Sequence, residues 1–129
     1  MRQAYPIRST AGGLTRMQGV WTGGGAAANC SRAAADHNKG ISSVAYNGAT
    51  GKYLVTFTDV GQQIVYADAQ VSGLTGVAKV VCNVLRGSYD RTAKTVQVEF
   101  WKHDGSLIDL LTTDKVMFVF ETAQNAPDA

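Results

Sequence analysis

Apolar and polar residues alternate along most of the chain after Gly40, which is the pattern of β-strands buried on one face. In the segment 52–58, Tyr53, Val55 and Phe57 share one face, opposite Lys52 and its neighbours. Turn-forming pairs separate the segments, and no amphipathic helix interrupts them. Strands are therefore predicted over 41–46, 52–58, 64–71, 77–86, 94–103 and 115–121.

Several short strands at close spacing, with turn residues between them, are typical of antiparallel all-β folds. We predict an antiparallel β-sandwich or jelly-roll-like domain over residues 40–129. Two of its strands carry apolar triplets on one face, which are expected to form the core: Val96, Val98, Phe100 and Val116, Phe118, Phe120.

Residues 1–39 show no sustained periodicity and are rich in Gly, Ala, Ser, Thr and Arg. The stretch LTRMQGVWT within them could form a short strand, and the rest is predicted to be an extended N-terminal arm and a long loop. The region carries five basic residues and one acidic residue, whereas residues 40–129 carry seven basic and nine acidic residues. A basic arm before a mildly acidic body suggests docking on a partner more than catalysis.

Several apolar side chains fall on strand faces that should be polar. If the predicted core triplets point inward, Trp101, Met117 and Val119 point outward. Leu54 likewise lies on the outer face of its strand, because Tyr53 occupies the inner face. Four such residues would form a patch that monomers rarely expose. We interpret the patch as a subunit interface in a closed cyclic oligomer, a homotrimer, although cover by the N-terminal arm is the alternative.

The glycine-rich stretch YNGATGKY resembles a phosphate-binding loop only at first sight. That loop requires Gly, four residues, Gly-Lys and then Ser or Thr, between a strand and a helix. Tyr46 stands where the first glycine should be, Tyr53 stands where the hydroxyl should be, and a strand follows. Asn47 to Gly51 is instead predicted to be a hairpin turn, because Asn-Gly tolerates a positive φ.

The chain carries no arrangement typical of a catalytic or metal site. His37 and His103 each stand beside an aspartate without further ligands at metal-binding spacing, and Cys30 near His37 lies in an Ala/Gly-rich stretch that would position it poorly. The serines lack a nucleophile elbow. We predict a non-enzymatic protein with no cofactor and no metal. Whether Cys30 pairs with Cys82 stays open, with a buried free thiol favoured for Cys82.

Charge and hydropathy exclude other classes. A net charge of +2 gives no electrostatic basis for nucleic-acid binding. The N-terminus lacks the apolar run of a signal peptide, and no segment approaches membrane-spanning length. We therefore expect no nucleic-acid partner, no membrane association and no secretion by that route.

The strand region also resembles the compact β-sandwich modules of tailed-bacteriophage structural proteins. The resemblance covers about residues 40–121 and rests on an opening phrase and a closing phrase. These are Ser43-Val44 with Gly51, Tyr53, Val55 and Phe57, and Asp104-Gly105 with Asp114, Val116 and Phe118. Such modules occur in head decoration (cement) proteins and in tail-fibre tips, and the resemblance implies no catalytic residue.

Because the sequence shows no fibre shaft, repeat or heptad, the resemblance implies a decoration protein. Such a protein lies on the capsid surface of the virion, assembles in the host cytoplasm and binds the major capsid protein. The arm would lie across the capsid lattice and contact it through basic and aromatic residues: Arg2, Tyr5, Arg8, Arg16, Trp21 and Arg32. The alternative is a receptor- or glycan-binding fibre tip, or a lectin-like sandwich, with a pocket around Tyr89 or Trp101.

Overall fold

The computed structural model describes residues 14–33, 38–61, 63–73 and 80–123, which form eight β-strands and no helix. All strand pairs are antiparallel, so the predicted antiparallel all-β fold is confirmed. The strands are β1 (Leu14–Thr22), β2 (Ser31–Arg32), β3 (Ile41–Tyr46), β4 (Lys52–Phe57), β5 (Gln63–Ser72), β6 (Val80–Asp90), β7 (Thr95–Lys102) and β8 (Lys115–Ala123).

The strands form a single sheet in the order β2-β1-β8-β5-β6-β7-β4-β3. The sheet curls so that its two ends meet. Cys30, just before β2, donates its backbone N–H to the carbonyl of Val44 in β3 at 2.9 Å, and Gln18 of β1 exchanges two backbone hydrogen bonds with Lys39. The sheet is therefore nearly closed into a barrel-like sandwich, which leaves few open strand edges.

The sheet begins at Leu14, which corrects the predicted boundary at Gly40. β1 pairs with β8 over its full length, from Leu14 opposite Ala123 to Thr22 opposite Lys115. Inward-facing Met17 and Trp21 join the core. The stretch that could form a short strand is thus an integral strand of the domain. Residues 1–13 of the predicted arm lie outside the described residues.

One face of the curled sheet encloses the core, and strand alternation predicted that face. Tyr53, Val55 and Phe57 of β4 are buried, as are the two predicted apolar triplets of β7 and β8. Aromatic rings meet at the centre: the Phe120 centroid lies 5.1 Å from that of Phe57 and 5.5 Å from that of Phe118. Close ring contacts of this kind add to the stabilisation from burial alone.

The start of β5 departs from simple alternation because its register shifts between Ile64 and Tyr66. The irregularity places Ile64 in the core and leaves Val65 and Tyr66 exposed, while Ala67 and Ala69 pack against the core. A bulge of this kind re-aims the side chains on one stretch of a strand.

The segment Asn47–Gly51 is the predicted hairpin turn. Gly48 and Gly51 have φ angles of 77° and 74°, and Asn47 donates its N–H to the carbonyl of Lys52 at 2.8 Å. The Asp109 carboxylate accepts a hydrogen bond from the Gly51 N–H at 2.7 Å and another from the Ala27 N–H at 2.9 Å. One side chain therefore links this hairpin to two other loops, and β4 follows where a phosphate loop would need a helix.

Burial in the core predicts that the domain loses stability in alkali. Loss of solvation raises the pKa of Tyr53 and of Tyr89 from 10.0 to about 12, and that of the Cys30 and Cys82 thiols from 9.0 to about 12. Since the folded state holds these protons more tightly, their contribution is complete below about pH 9 and is lost as the pH rises towards 12.

We therefore expect the free energy of unfolding to fall steadily between about pH 9 and pH 12. Urea unfolding at a series of pH values measures it, with absorbance at 295 nm reporting tyrosinate. Ordinary tyrosine titration near pH 10 for all five tyrosines, with no change in stability, would contradict the prediction.

Candidate functional site: the outer face of the sheet

A row of five residues crosses the outer face of the sheet, and the strand register aligns them. Met117 of β8 lies opposite Val20 of β1 and Gln70 of β5, Gln70 lies opposite Val81 of β6, and Val81 lies opposite Trp101 of β7. Directly opposed residues project from the same face, and strands lie about 4.8 Å apart, so this outer row spans roughly 19 Å. Four of its five side chains are apolar.

The outer row includes two of the most exposed large apolar side chains of the described residues. Val81 is 61% exposed and Met117 is 53% exposed, whereas Val20 and Trp101 are half-buried. Single apolar residues scattered over a surface need no explanation, but these residues are aligned across neighbouring strands. It is a strip of four apolar side chains with Gln70 at its midpoint.

Polar residues border the outer row on both sides. Thr22, Lys115 and Ser72 form the neighbouring row on one side. On the other side, Glu99 accepts a hydrogen bond from the Trp101 indole N–H at 3.3 Å, and its second carboxylate oxygen lies 3.5 Å from the Lys52 ammonium. An apolar centre within a polar rim is the usual anatomy of a protein–protein interface.

The outer row borders a shallow groove of about 250 Å³ between β1 and β8. Val20, Met117 and Val119 supply its apolar walls, and Arg16 and Gln18 stand at its polar end. Arg16 lies 3.8 Å from Glu121, which anchors the guanidinium at the rim. The groove could receive an apolar side chain from a partner surface.

The structure brings together three of the four predicted interface residues. Trp101 and Met117 belong to the outer row itself, and Val119 lines the groove beside it. Leu54 is half-buried and lies apart, opposite Gln97, with the Lys52–Glu99 ion pair between its row and that of Trp101. Their role in an interface stays a prediction.

Two apolar residues of the outer row, Val20 and Val81, were not expected from the sequence. Val81 carries a detectable signal, because it is a valine on the polar face of an alternating strand. Val20 carries no such signal. The sequence does not show which side chains of β1 point outward, and the structure shows it because Met17 and Trp21 are buried.

The predicted docking residues of the N-terminal region lie in different environments. Arg2, Tyr5 and Arg8 lie outside the described residues. Arg16 and Arg32 are exposed on the sheet. Trp21 is 4% exposed and packs in the core, so its expected role as a contact residue is wrong. The Arg32 guanidinium lies over the Trp21 ring, 5.6 Å from its centroid, in a cation–π arrangement.

Tyr89, proposed above as part of a glycan pocket, is a structural residue. It is half-buried, and its hydroxyl donates a hydrogen bond to the carbonyl of Gly61 at 2.7 Å. The Gly61 N–H in turn donates to the buried Thr122 hydroxyl at 2.8 Å. Tyr89 thus holds the segment before β5 through its hydroxyl, and its ring packs against the core.

The reactive side chains form no centre within the described ranges. Cys30 and Cys82 are both free thiols, and burial raises the pKa of each to about 12, with the Asp68 carboxylate adding to the rise at Cys82. In the described part of the chain, no three His, Cys, Asp or Glu side chains are grouped to hold a metal ion. That part also contains no helix long and apolar enough to span a membrane.

Comparison of the chain with protein-family models, with curated proteins and with solved structures found no match in any of the three. The proposed function therefore rests on the outer row and its polar rim.

Proposed function

We propose that this chain is a non-enzymatic structural protein of a bacteriophage virion that binds the outer surface of the capsid as an oligomer and stabilises the head shell. The outer row is the observation that carries the proposal. Val81 and Met117 expose apolar side chains on either side of its central Gln70, and polar residues border the row. Burial of this strip between subunits would remove it from water at a gain of about 25 cal/mol per Å².

The course of the outer row across five strands of the curled sheet supports a closed oligomer. A face-to-face contact of two such strips would produce a dimer. Contact between the strip and a different surface of the neighbour produces a ring where the rotation between neighbours closes, and an open filament where it does not. The outer row ends at Trp101 on one side and at the β1–β8 groove on the other. Trp101 of one copy entering the groove of the next is a contact of the second kind, which suits the proposed homotrimer.

The resemblance over residues 40–121 and the basic N-terminal region support the major capsid protein as the partner. An oligomer that joins several capsid subunits gains affinity from simultaneous contacts, since each added contact is intramolecular once the first has formed. Any N-terminal segment that becomes ordered on the capsid would reduce this gain by its ordering cost.

The oligomer is tested by placing one charge in the outer row. We expect Val81→Glu to shift the wild-type oligomer to monomer, because it buries an unpaired carboxylate at the subunit contact. Gln97→Glu adds the same charge to an exposed position on the same outer face of β7 and should leave the mass unchanged. Light scattering coupled to size exclusion measures both, and a monomeric wild type would contradict the oligomer.

Capsid binding requires a separate experiment. Wild-type protein is mixed with expanded capsids of the phage that encodes it, and co-sedimentation and capsid heat stability are measured. The proposal expects saturable binding and capsids that withstand higher temperature. Protein that stays in the supernatant at every concentration would overturn the capsid assignment, even if the oligomer is confirmed.

A further inference from the structure

The ladder between β5 and β6 opens into a slot. Among the residues that the structure describes, the two strands pair at one position, Gln70 opposite Val81, although each pairs extensively with its other neighbour. At the far end, the Tyr89 side chain of β6 bridges to Gly61, just before β5. The two segments are thus joined there by a hydrogen bond from a side chain to the backbone.

The slot has a volume of about 330 Å³, which lies at the lower end of the range for small-ligand pockets. Its walls are residues 65–69 of β5, and residues 82–84 with Arg86 of β6. Across the slot these edges form no ladder hydrogen bonds, so backbone N–H and C=O groups on both walls face the opening. Water or a ligand must satisfy them.

Polar side chains of three complementary types line the slot. Asp68 accepts hydrogen bonds, Arg86 donates them, and Asn83 does both. Within the described ranges, none of the three forms a hydrogen bond or an ion pair with another side chain. The Tyr66 ring stands at the same opening and is 49% exposed.

This combination selects the class of ligand. One carboxylate and one guanidinium leave the slot without net charge, which favours a neutral ligand over a phosphate or a cation. Closure at both ends, by the Gln70–Val81 pair and by Tyr89, prevents an extended peptide from running through. The remaining candidate is a compact ligand whose hydroxyl groups both donate and accept hydrogen bonds, with C–H faces for an aromatic ring.

We propose that the β5–β6 slot binds a neutral saccharide, one sugar unit in size, through Asp68, Asn83 and Arg86, with the ring of Tyr66 against one sugar face. This goes beyond the capsid-binding proposal and uses different residues. A decoration protein with such a slot would give the virion surface an affinity for glycans.

The test is saturation-transfer NMR on the full chain with six probes: glucose, galactose, mannose, N-acetylglucosamine, N-acetylgalactosamine and rhamnose. We expect at least one of them to bind the wild type. Asp68→Asn, which keeps the shape of the side chain, should weaken that binding by at least about tenfold, because it removes a charged acceptor from the contact. Asp104→Asn makes the same change on an exposed loop carboxylate and should leave binding unchanged.

Arg86→Met provides a second variant at an exposed position, should Asp68→Asn fail to fold by circular dichroism. It too should weaken binding by at least about tenfold. The proposal is overturned if none of the six sugars binds the folded wild-type protein. It is also overturned if both slot variants bind the sugar as well as the wild type does. Met117→Glu distinguishes the two proposals, since Met117 belongs to the outer row and not to the slot lining, so that the variant should abolish the oligomer while the monomer still binds the sugar.

Discussion

Gly51→Ala is expected to lower the free energy of unfolding by about 2–5 kcal/mol, with loss of the native hairpin between β3 and β4. Gly51 has a φ of 74°, a left-handed conformation that costs a residue with a Cβ about 1–2 kcal/mol. A Cβ at this position would also lie 2.9 Å from the Ile108 nitrogen and 2.9 Å from the Phe100 carbonyl oxygen. Both are backbone atoms, which cannot rotate away.

The contacts around Gly51 explain why the hairpin cannot shift to relieve this overlap. The Gly51 N–H donates to Asp109 at 2.7 Å, and its carbonyl accepts from the Phe100 N–H at 2.8 Å. Ile108 donates to the Phe100 carbonyl at 3.0 Å on the other side. Movement of the Gly51 backbone would break several of these hydrogen bonds together, so the strain adds to the loss of hydrogen bonding.

Gly48→Ala is the matched control in the same hairpin. Gly48 has a φ of 77°, but a Cβ there would meet nothing within 4 Å. It should therefore cost only about 1–2 kcal/mol, the strain of the left-handed conformation. Urea unfolding of both variants measures the difference in free energy. Equal losses for the two variants would show that the close approach at Gly51 has no energetic consequence.

Strand alternation alone could predict the core, because each strand is buried on one face and a period of two identifies that face. It predicted the inward triplets of β7 and β8 and the hairpin at Asn47–Gly51. It could not predict that β1 belongs to the sheet. The glycines and polar residues around that strand conceal it, and its burial comes from pairing with β8, about 100 residues away along the chain.

The outer row shows a different limit of sequence reasoning. The sequence indicates that Trp101 and Met117 point outward, but whether they meet depends on the order of the strands. That order places β5 and β6 between β8 and β7, and thereby inserts Gln70 and Val81 between the two predicted residues. Strand order is set by long-range pairing, which one sequence does not encode in any local pattern.

The slot is less predictable still. It exists because β5 and β6 diverge beyond the Gln70–Val81 pair and are joined again at the far end through the Tyr89 side chain. In the sequence, both strands look like ordinary alternating segments. An unpaired stretch inside a sheet is a property of the pairing and not of either strand.

Phe120→Ala is the other substitution with a large expected effect, a loss of about 3–5 kcal/mol in the free energy of unfolding. Phe120 is fully buried in β8, between the rings of Phe57 and Phe118. Because β8 lies between β1 and β5, a cavity here would weaken packing on both sides. Such a loss is a large part of the 5–15 kcal/mol that stabilises a typical domain.

Lys115→Ala on the same strand is the control, since Lys115 is exposed and should change stability by no more than about 0.5 kcal/mol. Urea unfolding followed by circular dichroism measures both variants, at two protein concentrations so that any contribution from oligomer formation is detected. The Phe120→Ala loss should be the same at both concentrations, because its cause lies inside one subunit. A loss under 1 kcal/mol would mean that the aromatic centre between β4 and β8 is not the packed core that its buried rings indicate.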